Sequence, residues 1–452
     1  MPTISVEQNL IAKLLAQHKL DHDVEQIADE LPLLGTDIDR CDAQTLDIEI
    51  FPNRPDLLSG ETLTRAIRNF VHRQPAKPSI TTTEGKITLN VEPDLAEIRP
   101  VILGAVVRNV DYTSIGVSAD EFIRSLLDHQ EKLHFALGRG RKRASIGVHD
   151  LAKLAPPFTV KAVSGDIKFT PLAATEPMSI KEIMAEHPKG IEYAHLLSEF
   201  DRYPILLVAE YNVLSFPPII NGDHTTVTKE TKDFFIDVTG WDIRACESSL
   251  MLIALQLQEY GGIIETVEVT NCFGATNIYP NGSAVEHKLT IAAIQGLLGG
   301  KLTEKAISGA INRMGGKLVA CDDEFITLEM PRWRFDILHP VDLVEDIAIG
   351  HGYEDLGHDI PRSPMTAKPR SDANLLRRVG NSMQGLGMMQ IQSLTLSNDD
   401  DQFNLVRWES VGEVTRITNP ITIDHTLLRQ YVLPGFLRVL STNRHHDLPQ
   451  SV

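Results

Sequence analysis

The stretch PRWRFDILHPVDLVEDIAIGHGY, residues 331–353, carries four carboxylates at short range: Asp336, Asp342, Glu345 and Asp346. Asp342, Glu345 and Asp346 fall at i, i+3 and i+4, which on a helix predicts one shared face. Val341, Val344, Ile347 and Ala348 then lie toward the opposite side. Three like charges on adjacent turns repel one another. A hard cation with a preference for oxygen, Mg²⁺ above all, would remove that repulsion, and Asp336 could close the site from the preceding loop. Acids gathered at a helix N-terminus, where the dipole favours them, account for the same spacing without a metal.

A second charged group stands out by sign. Arg139, Arg141, Lys142 and Arg143 form the densest basic cluster in an acidic chain. It reads either as a solvated loop or as a contact to nucleic-acid phosphates, which positions RNA without reading its sequence. His149 and Asp150 are not a ready dyad, because neighbours on a strand point to opposite faces. No G-x-S-x-G stretch supplies a nucleophile and no P-loop is present.

Composition narrows the classes. The 452 residues, 42% hydrophobic and 23% charged, suit a globular protein, of about three or four domains. No apolar run approaches a membrane span, and the first twenty residues lack the pattern of a secretory signal. Cys41, Cys246, Cys272 and Cys321 form no CxxC pair. They point to a reducing cytoplasm and away from zinc. A net charge of −18 argues against a general nucleic-acid coat. Any RNA contact must therefore be local, or come from a partner.

Periodicity predicts an α+β multidomain chain. Residues 1–80 hold two helices near Ile11–Leu15 and Val24–Leu31, a strand through Leu46, Ile48 and Ile50, and a helix through Leu63, Ile67 and Phe70. Between strand and helix, Asn53, Arg54 and Asp56 suggest a turn held by its own side chains. The Pro/Thr-rich residues 75–95 read as a linker. A mixed α/β domain spans 96–265. A winged-helix-like unit spans 270–360, with helices closed by glycine pairs, Thr303 as N-cap, and Ile326, Leu328 and Met330 on one face of a strand. Residues 365–452 open with a helix whose Leu375, Leu376, Val379, Met383 and Leu386 share a face. The strand MQIQSLTLSN follows, and Leu427, Leu428 and Leu433 are the expected core.

The motif P-x-x-R-x-D-I-x-H-x-x-D-x-x-E-D-I-A-I-x-x-G-Y in residues 331–353 resembles the signature of the phenylalanyl-tRNA synthetase β-subunit family, in its archaeal and eukaryotic-cytosolic form. FPNRPDLLS (51–59), QEKLH (130–134), IGVHD (146–150), PPIING (217–222), FIDVTG (235–240) and the segment from Asn419 are similar to the same family. The resemblance implies Mg²⁺ at Asp336, Asp342, Glu345 and Asp346. It implies that 96–265 is an editing domain, which hydrolyses tyrosine wrongly joined to the phenylalanine tRNA. Such a check is needed when a pocket built for one ring cannot reject one extra hydroxyl strongly enough. The implied editing residues are Gln130, Arg143, Ser215, Asn221, Asp237 and Thr239, with Arg139, Arg141, Lys142 and Arg143 on the tRNA. The last segment would be part of a catalytic-like class II module without an active site, cut short relative to the family. The implied enzyme is an α₂β₂ tetramer that uses ATP and whose α subunit carries the amino-acid and ATP sites. Two rivals stay open: a free-standing hydrolase of mischarged tRNA, and a non-enzymatic RNA-binding protein.

Overall fold

The alternation at Leu46, Ile48 and Ile50 forms a strand in which all three side chains are fully buried. In the computed structural model, which describes residues 2–209, 212–357 and 367–452, this strand, β3 (Thr45–Ile50), is central. It lies between β1 (Thr3–Glu7) and β2 (Thr36–Cys41) in an antiparallel sheet. Helices α1 (Gln8–Ala16) and α2 (Val24–Glu30) connect β1 to β2, and α3 (Gly60–Phe70) follows β3. Asp23 and Ser59 cap α2 and α3 by accepting their first backbone N–H groups. The turn before α3 is held as expected. Arg54 donates to both carboxylate oxygens of Asp56 at 2.9 Å and to the Leu34 carbonyl at 3.0 Å, all buried.

The middle of the chain builds one wide sheet. Its strands are β4 (Thr83–Val91), β5 (Val101–Arg108), β6 (Ala144–Asp150), β7 (Phe158–Val163), β10 (Tyr203–Leu207), β11 (Val213–Phe216), β12 (Ile220–Asn221), β13 (Phe234–Gly240), β14 (Ile263–Thr270) and β15 (Thr276–Tyr279). A short ribbon of β8 (Lys168–Phe169) and β9 (Met178–Ser179) stands apart. The order is β12-β11-β10-β7-β4-β14-β5-β13-β6, with β15 on β14. Helices α4 (Ala119–Ala136) and α7 (Ile243–Gln258) contribute to the core formed with β5, β6 and β13. Short helices α5 (Ile180–Glu186) and α6 (Pro188–Tyr193) lie in the long connection from β7 to β10. The linker expected over 75–95 is overturned. Its second half is β4, in the middle of the sheet and parallel to both β7 and β14. The Pro/Thr-rich start of the segment carried the linker reading, although Ile87, Leu89 and Val91 alternate with polar residues and are buried. The sheet therefore extends past both bounds of 96–265.

The third part repeats the first. β16 (Val285–Thr290), α8 (Ile291–Leu298), α9 (Glu304–Arg313), β17 (Lys317–Cys321), β18 (Phe325–Met330) and α10 (Pro340–His351) follow the same order. The last strand is again central, in β16-β18-β17. Thr303 caps α9, and Ile326, Leu328 and Met330 are fully buried, as expected. The correspondence is residue by residue. Arg334 clasps Asp336 as Arg54 clasps Asp56, and each arginine also donates to a carbonyl 20 residues upstream. Asp42 and Asp322 each accept two backbone N–H groups in the hairpin before the central strand. Gly35 and Gly315 both sit at positive φ before the preceding strand, where a side chain would be strained. The helix–helix–strand order predicted for 270–360 is present. What the sequence reading missed is that the same unit also opens the chain.

Residues 367–452 belong to a separate compact unit. It holds α11 (Ala373–Gly385), a two-stranded pairing of β19 (Leu396–Ser397) with β20 (Leu427–Leu428), and α12 (Leu433–Thr442). Leu427 is buried as predicted, whereas Leu428 and Leu433 are 40% and 48% exposed. The strand expected over MQIQSLTLSN is reduced to Leu396–Ser397. The apolar face read on α11 does not enter a core here, since Leu375, Leu376, Val379, Met383 and Leu386 are all exposed. In this unit the described pairing is β19 with β20 plus one bridge from Arg416 to Leu427, narrower than the broad antiparallel sheet expected of a class II module.

Removing one partner of a buried ion pair strands the other. Arg54→Ala and Arg334→Ala should each destabilise the compact unit that ends before residue 359 by about 3–5 kcal/mol, read as a drop in the urea midpoint. Arg→Lys should not restore it, because an ammonium cannot make the paired bonds. Midpoints within error of wild type would remove these pairs from any account of the fold.

Candidate active site

The four carboxylates do not converge. Asp346 is buried and meets Arg334 at 2.8 Å, while Asp336 meets the same guanidinium at 2.7 Å. Asp342 caps α10, where its Oδ2 accepts the backbone N–H of Leu338 and His339 at 2.7 and 2.6 Å. Glu345 faces solvent. Although α10 carries all three, the carboxylates of Asp342, Glu345 and Asp346 are thus directed to separate surroundings. Burial pushes the Asp346 carboxyl up despite the pull of Arg334, and the two carboxylates keep Arg334 charged against its own burial. Among the described residues, no three His, Cys, Asp or Glu side chains gather where one ion could be held. The Mg²⁺ site expected at Asp336, Asp342, Glu345 and Asp346 does not fit this arrangement. The reason is electrostatic: a guanidinium already supplies the positive charge that a cation was invoked for.

The basic cluster is also partly used up. Arg141 is buried, donates to the carbonyls of Pro218 and Ile219 and to Glu131, and lies over the Tyr193 ring at 4.3 Å. Arg143 pairs with Asp242. Arg139 and Lys142 remain exposed. The reading of four outward charges is corrected to two.

Beside this loop opens a cavity of about 430 Å³ between α4, β6, the β11–β12 turn and β13. Of the expected editing residues, Gln130, Ser215, Asn221 and Asp237 line it. Gln130 is held by the Ile146 carbonyl at 2.6 Å. Ser215 and Asn221 face each other across β11–β12, and the buried Ser215 hydroxyl has no partner among the described residues. Thr239 lies behind the wall, and Arg143 is turned away to Asp242.

Several residues in the wall and behind it escaped the sequence reading. Arg99 is fully buried and reaches the Thr239 hydroxyl and carbonyl at 2.7 Å, and the Ser145 hydroxyl and Arg141 carbonyl at 3.0 Å. Burial pulls its pKa down to about 10. His134 accepts the Ile146 N–H at Nε2, which leaves its other nitrogen to face Glu131. The approach of the His134 ring at 3.4 Å, helped by the charge of Arg141, brings the Glu131 carboxyl down to about 2. His149 bonds Asp237 at 2.7 Å and Thr225 at 2.9 Å. A Cβ on Gly147 would stand 2.2 Å from Asp237 Oδ1, so only glycine leaves room for this pair. One signal was legible: the run IGVHD places a glycine two residues before a histidine on one face of a strand.

Comparison with known proteins places this geometry. The β subunit of phenylalanine–tRNA ligase from Methanosarcina acetivorans is 40% identical over all of this chain and 81% of its own length. The chain belongs to the phenylalanine–tRNA ligase β-subunit family. The Archaeoglobus fulgidus β subunit is 35% identical, with 80% of its length covered. Family models described as B3/4 domain, tRNA synthetase B5 domain and phenylalanyl-tRNA synthetase beta chain CLM domain match residues 104–256, 287–353 and 357–451. The crystal structure of an N-terminal fragment of the Pyrococcus horikoshii β subunit superposes with a TM-score of 0.71. It is 30% identical and covers 78% of this chain and all of that one. The cavity lies within the segment matched by the B3/4 model.

Glu131 gives a pH prediction. Its folded pKa of about 2 lies below the ordinary 4.5, so its stabilising effect is complete above the ordinary value and is lost as pH falls through the folded one. The gap in stability between wild type and Glu131→Gln should therefore close between these limits. Chemical denaturation at a series of acid pH values checks it, and a gap that stays constant would contradict the assignment.

Proposed function

We propose that this chain is the β subunit of a phenylalanine–tRNA ligase, which joins phenylalanine to its tRNA with ATP and Mg²⁺. The observation that carries the reading is the 40% identity to such a subunit along the whole chain. An α subunit would hold the amino-acid and ATP sites, in an α₂β₂ assembly. No helix among the described residues is long and apolar enough to cross a membrane. Mixing the chain with its cognate α subunit should produce phenylalanyl-tRNA, and neither alone should. Failure of the mixture would overturn the reading.

The second activity is hydrolysis of tyrosyl-tRNA at the cavity beside β6 and β13, within a domain extended from 96–265 to take in β4 and β15. A pocket for a ring needs apolar walls with few polar groups. Leu126, Ile146 and Val148 offer the former, and Gln130, Ser215, Asn221 and Asp237 the latter. The bond broken is the ester between the amino acid and the tRNA, with water as the nucleophile. Full-length chain should release tyrosine faster than phenylalanine, and Asp237→Ala should slow that release. Equal release of the two amino acids would remove the editing assignment.

Arg139 and Lys142 supply the local positive charge toward tRNA. Each phosphate contact adds roughly 0.7–0.9 to the slope of log K against log salt. Replacing both by Ala should flatten the slope by about 1.4–1.8 with the unfolding midpoint unchanged. An unchanged slope would place the RNA elsewhere.

A further inference from the structure

A second cavity, also of about 430 Å³, opens where α1, α3, the end of α7 and the segment after α9 meet. It shares no lining residue with the cavity beside β6 and β13. Among the described residues its walls carry six arginines and lysines against two acids, Asp56 and Glu259, so its charge is uneven. Three of the six basic residues have carboxylates of their own. Arg54 pairs with Asp56, Arg313 with Glu30, and Arg334 with Asp336 and Asp346. Arg65 and Arg68 must share Glu259, which Arg68 grips at 2.6 and 2.8 Å and Arg65 reaches at 2.9 Å. One carboxylate does not neutralise two guanidiniums, and a charge withdrawn from water needs a partner. Lys77, exposed at the mouth, has no acidic partner among the described residues. The carboxyl ends of α3 and α7 lie at the same space, but their end carbonyls already have donors: Phe70 accepts from Arg313 at 3.0 Å and Glu259 from Gln17 at 3.2 Å.

Unused donors accompany this charge. Arg65 commits Nη1 to Glu259, while its Nε and Nη2 have no partner among the described residues. A guanidinium can only donate, so His18 Nε2 accepts from Arg68 at 2.7 Å. Burial and the charge of Arg68 favour the neutral ring, whose proton is then on Nδ1 as a further donor. Arg65, His18 and Lys77 thus offer donors on three separate side chains. A phosphate carries more charge and more acceptor oxygens than a carboxylate, and its oxygens match the guanidinium fork. The cavity is roomier than a phosphate group alone. Ala66, Ile80, Leu252 and Leu255 line the rest of it, a wall suited to an apolar organic part.

We propose that this cavity binds a small phosphate ester, with its phosphate held by Arg65, His18 and Lys77 and its organic part against the apolar wall. The anion supplies the countercharge that Glu259 cannot supply alone. Bound there, it bridges α1 and α3 of the first part to α7 and to the segment after α9.

The test uses the full chain without an α subunit and inorganic phosphate as the probe. An anion that binds the folded state alone raises the unfolding midpoint with its concentration. Phosphate should therefore raise it above chloride at equal ionic strength. Lys77→Ala removes an exposed side chain, so it should fold as wild type does and bind phosphate about tenfold or more weakly by calorimetry, the size expected for a hydrogen bond between charged groups. Arg65→Gln, which leaves Glu259 to Arg68, should weaken binding similarly. Replacing Arg139 and Lys142 by Ala should leave phosphate binding unchanged. Butyl phosphate should bind more tightly than inorganic phosphate, because its chain reaches the apolar wall. No gain over chloride, or equal binding by wild type and Lys77→Ala, overturns the site. Weaker binding of butyl phosphate than of inorganic phosphate overturns the assignment to an ester. A parallel loss of tRNA affinity in Lys77→Ala gives the phosphate to the RNA and overturns the small-molecule assignment.

Discussion

The clasp of a buried arginine on the aspartate two residues later organises the region where the first and third parts meet. It follows the central strand of each, at Arg54–Asp56 and again at Arg334–Asp336, and ties strand end, helix start and an upstream carbonyl into one node. The two nodes feel each other. Asp56 acts on Arg334, and Arg54 acts on both Asp336 and Asp346. Two guanidiniums and three carboxylates thus share a low-dielectric space, where each charge depends on the others. Around this network Arg313 reaches from α9 to Glu30, to the Phe70 carbonyl and to the Gly350 carbonyl.

The network explains why the four acidic side chains of the motif are not gathered at one point here. Spacing along a helix says which side chains can share a face, but not which way the face turns. In α10, Leu343, Val344 and Ile347 drive one side into the core and take Asp346 with them toward Arg334. Asp342 is spent on the helix N-terminus. The same logic acts at the cavity. Arg99 offsets the cost of its own burial with two hydroxyls and two carbonyls, and thereby fixes Ser145 and Thr239.

Local periodicity made the short-range elements legible. Strands β3 and β18 and helices α1, α2, α3 and α9 lie where apolar spacing puts them. Gln130, Ser215, Asn221 and Asp237 meet at one cavity although they come from separate segments. What failed depended on partners remote in sequence. β4 looked like a linker because its neighbours in the sheet lie beyond residues 158 and 263. His149 was dismissed because only its chain neighbour Asp150 was weighed, while its partner Asp237 comes from the adjacent strand. Arg141 and Arg143 read as free charges because Glu131, Pro218 and Asp242 could not be placed beside them from composition.

The position of β4 also sets an order of assembly. Its bond to the β14 side of the sheet closes a loop of 181 residues, from Thr83 to the Ile264 carbonyl. During synthesis the first β-α-α-β-β-α unit has all its strands once residue 50 has emerged. The centre of the wide sheet must wait for β14, more than two hundred residues later in the chain. Until then β4 has an unpaired edge, and such edges are where nascent chains stick to one another. The polar side chains Glu84, Lys86, Thr88 and Asn90 occupy one face of that waiting strand, opposite Ile87, Leu89 and Val91. Charged and polar residues on a strand are what natural sheets use against such sticking, and β4 carries them while its partner is still being made.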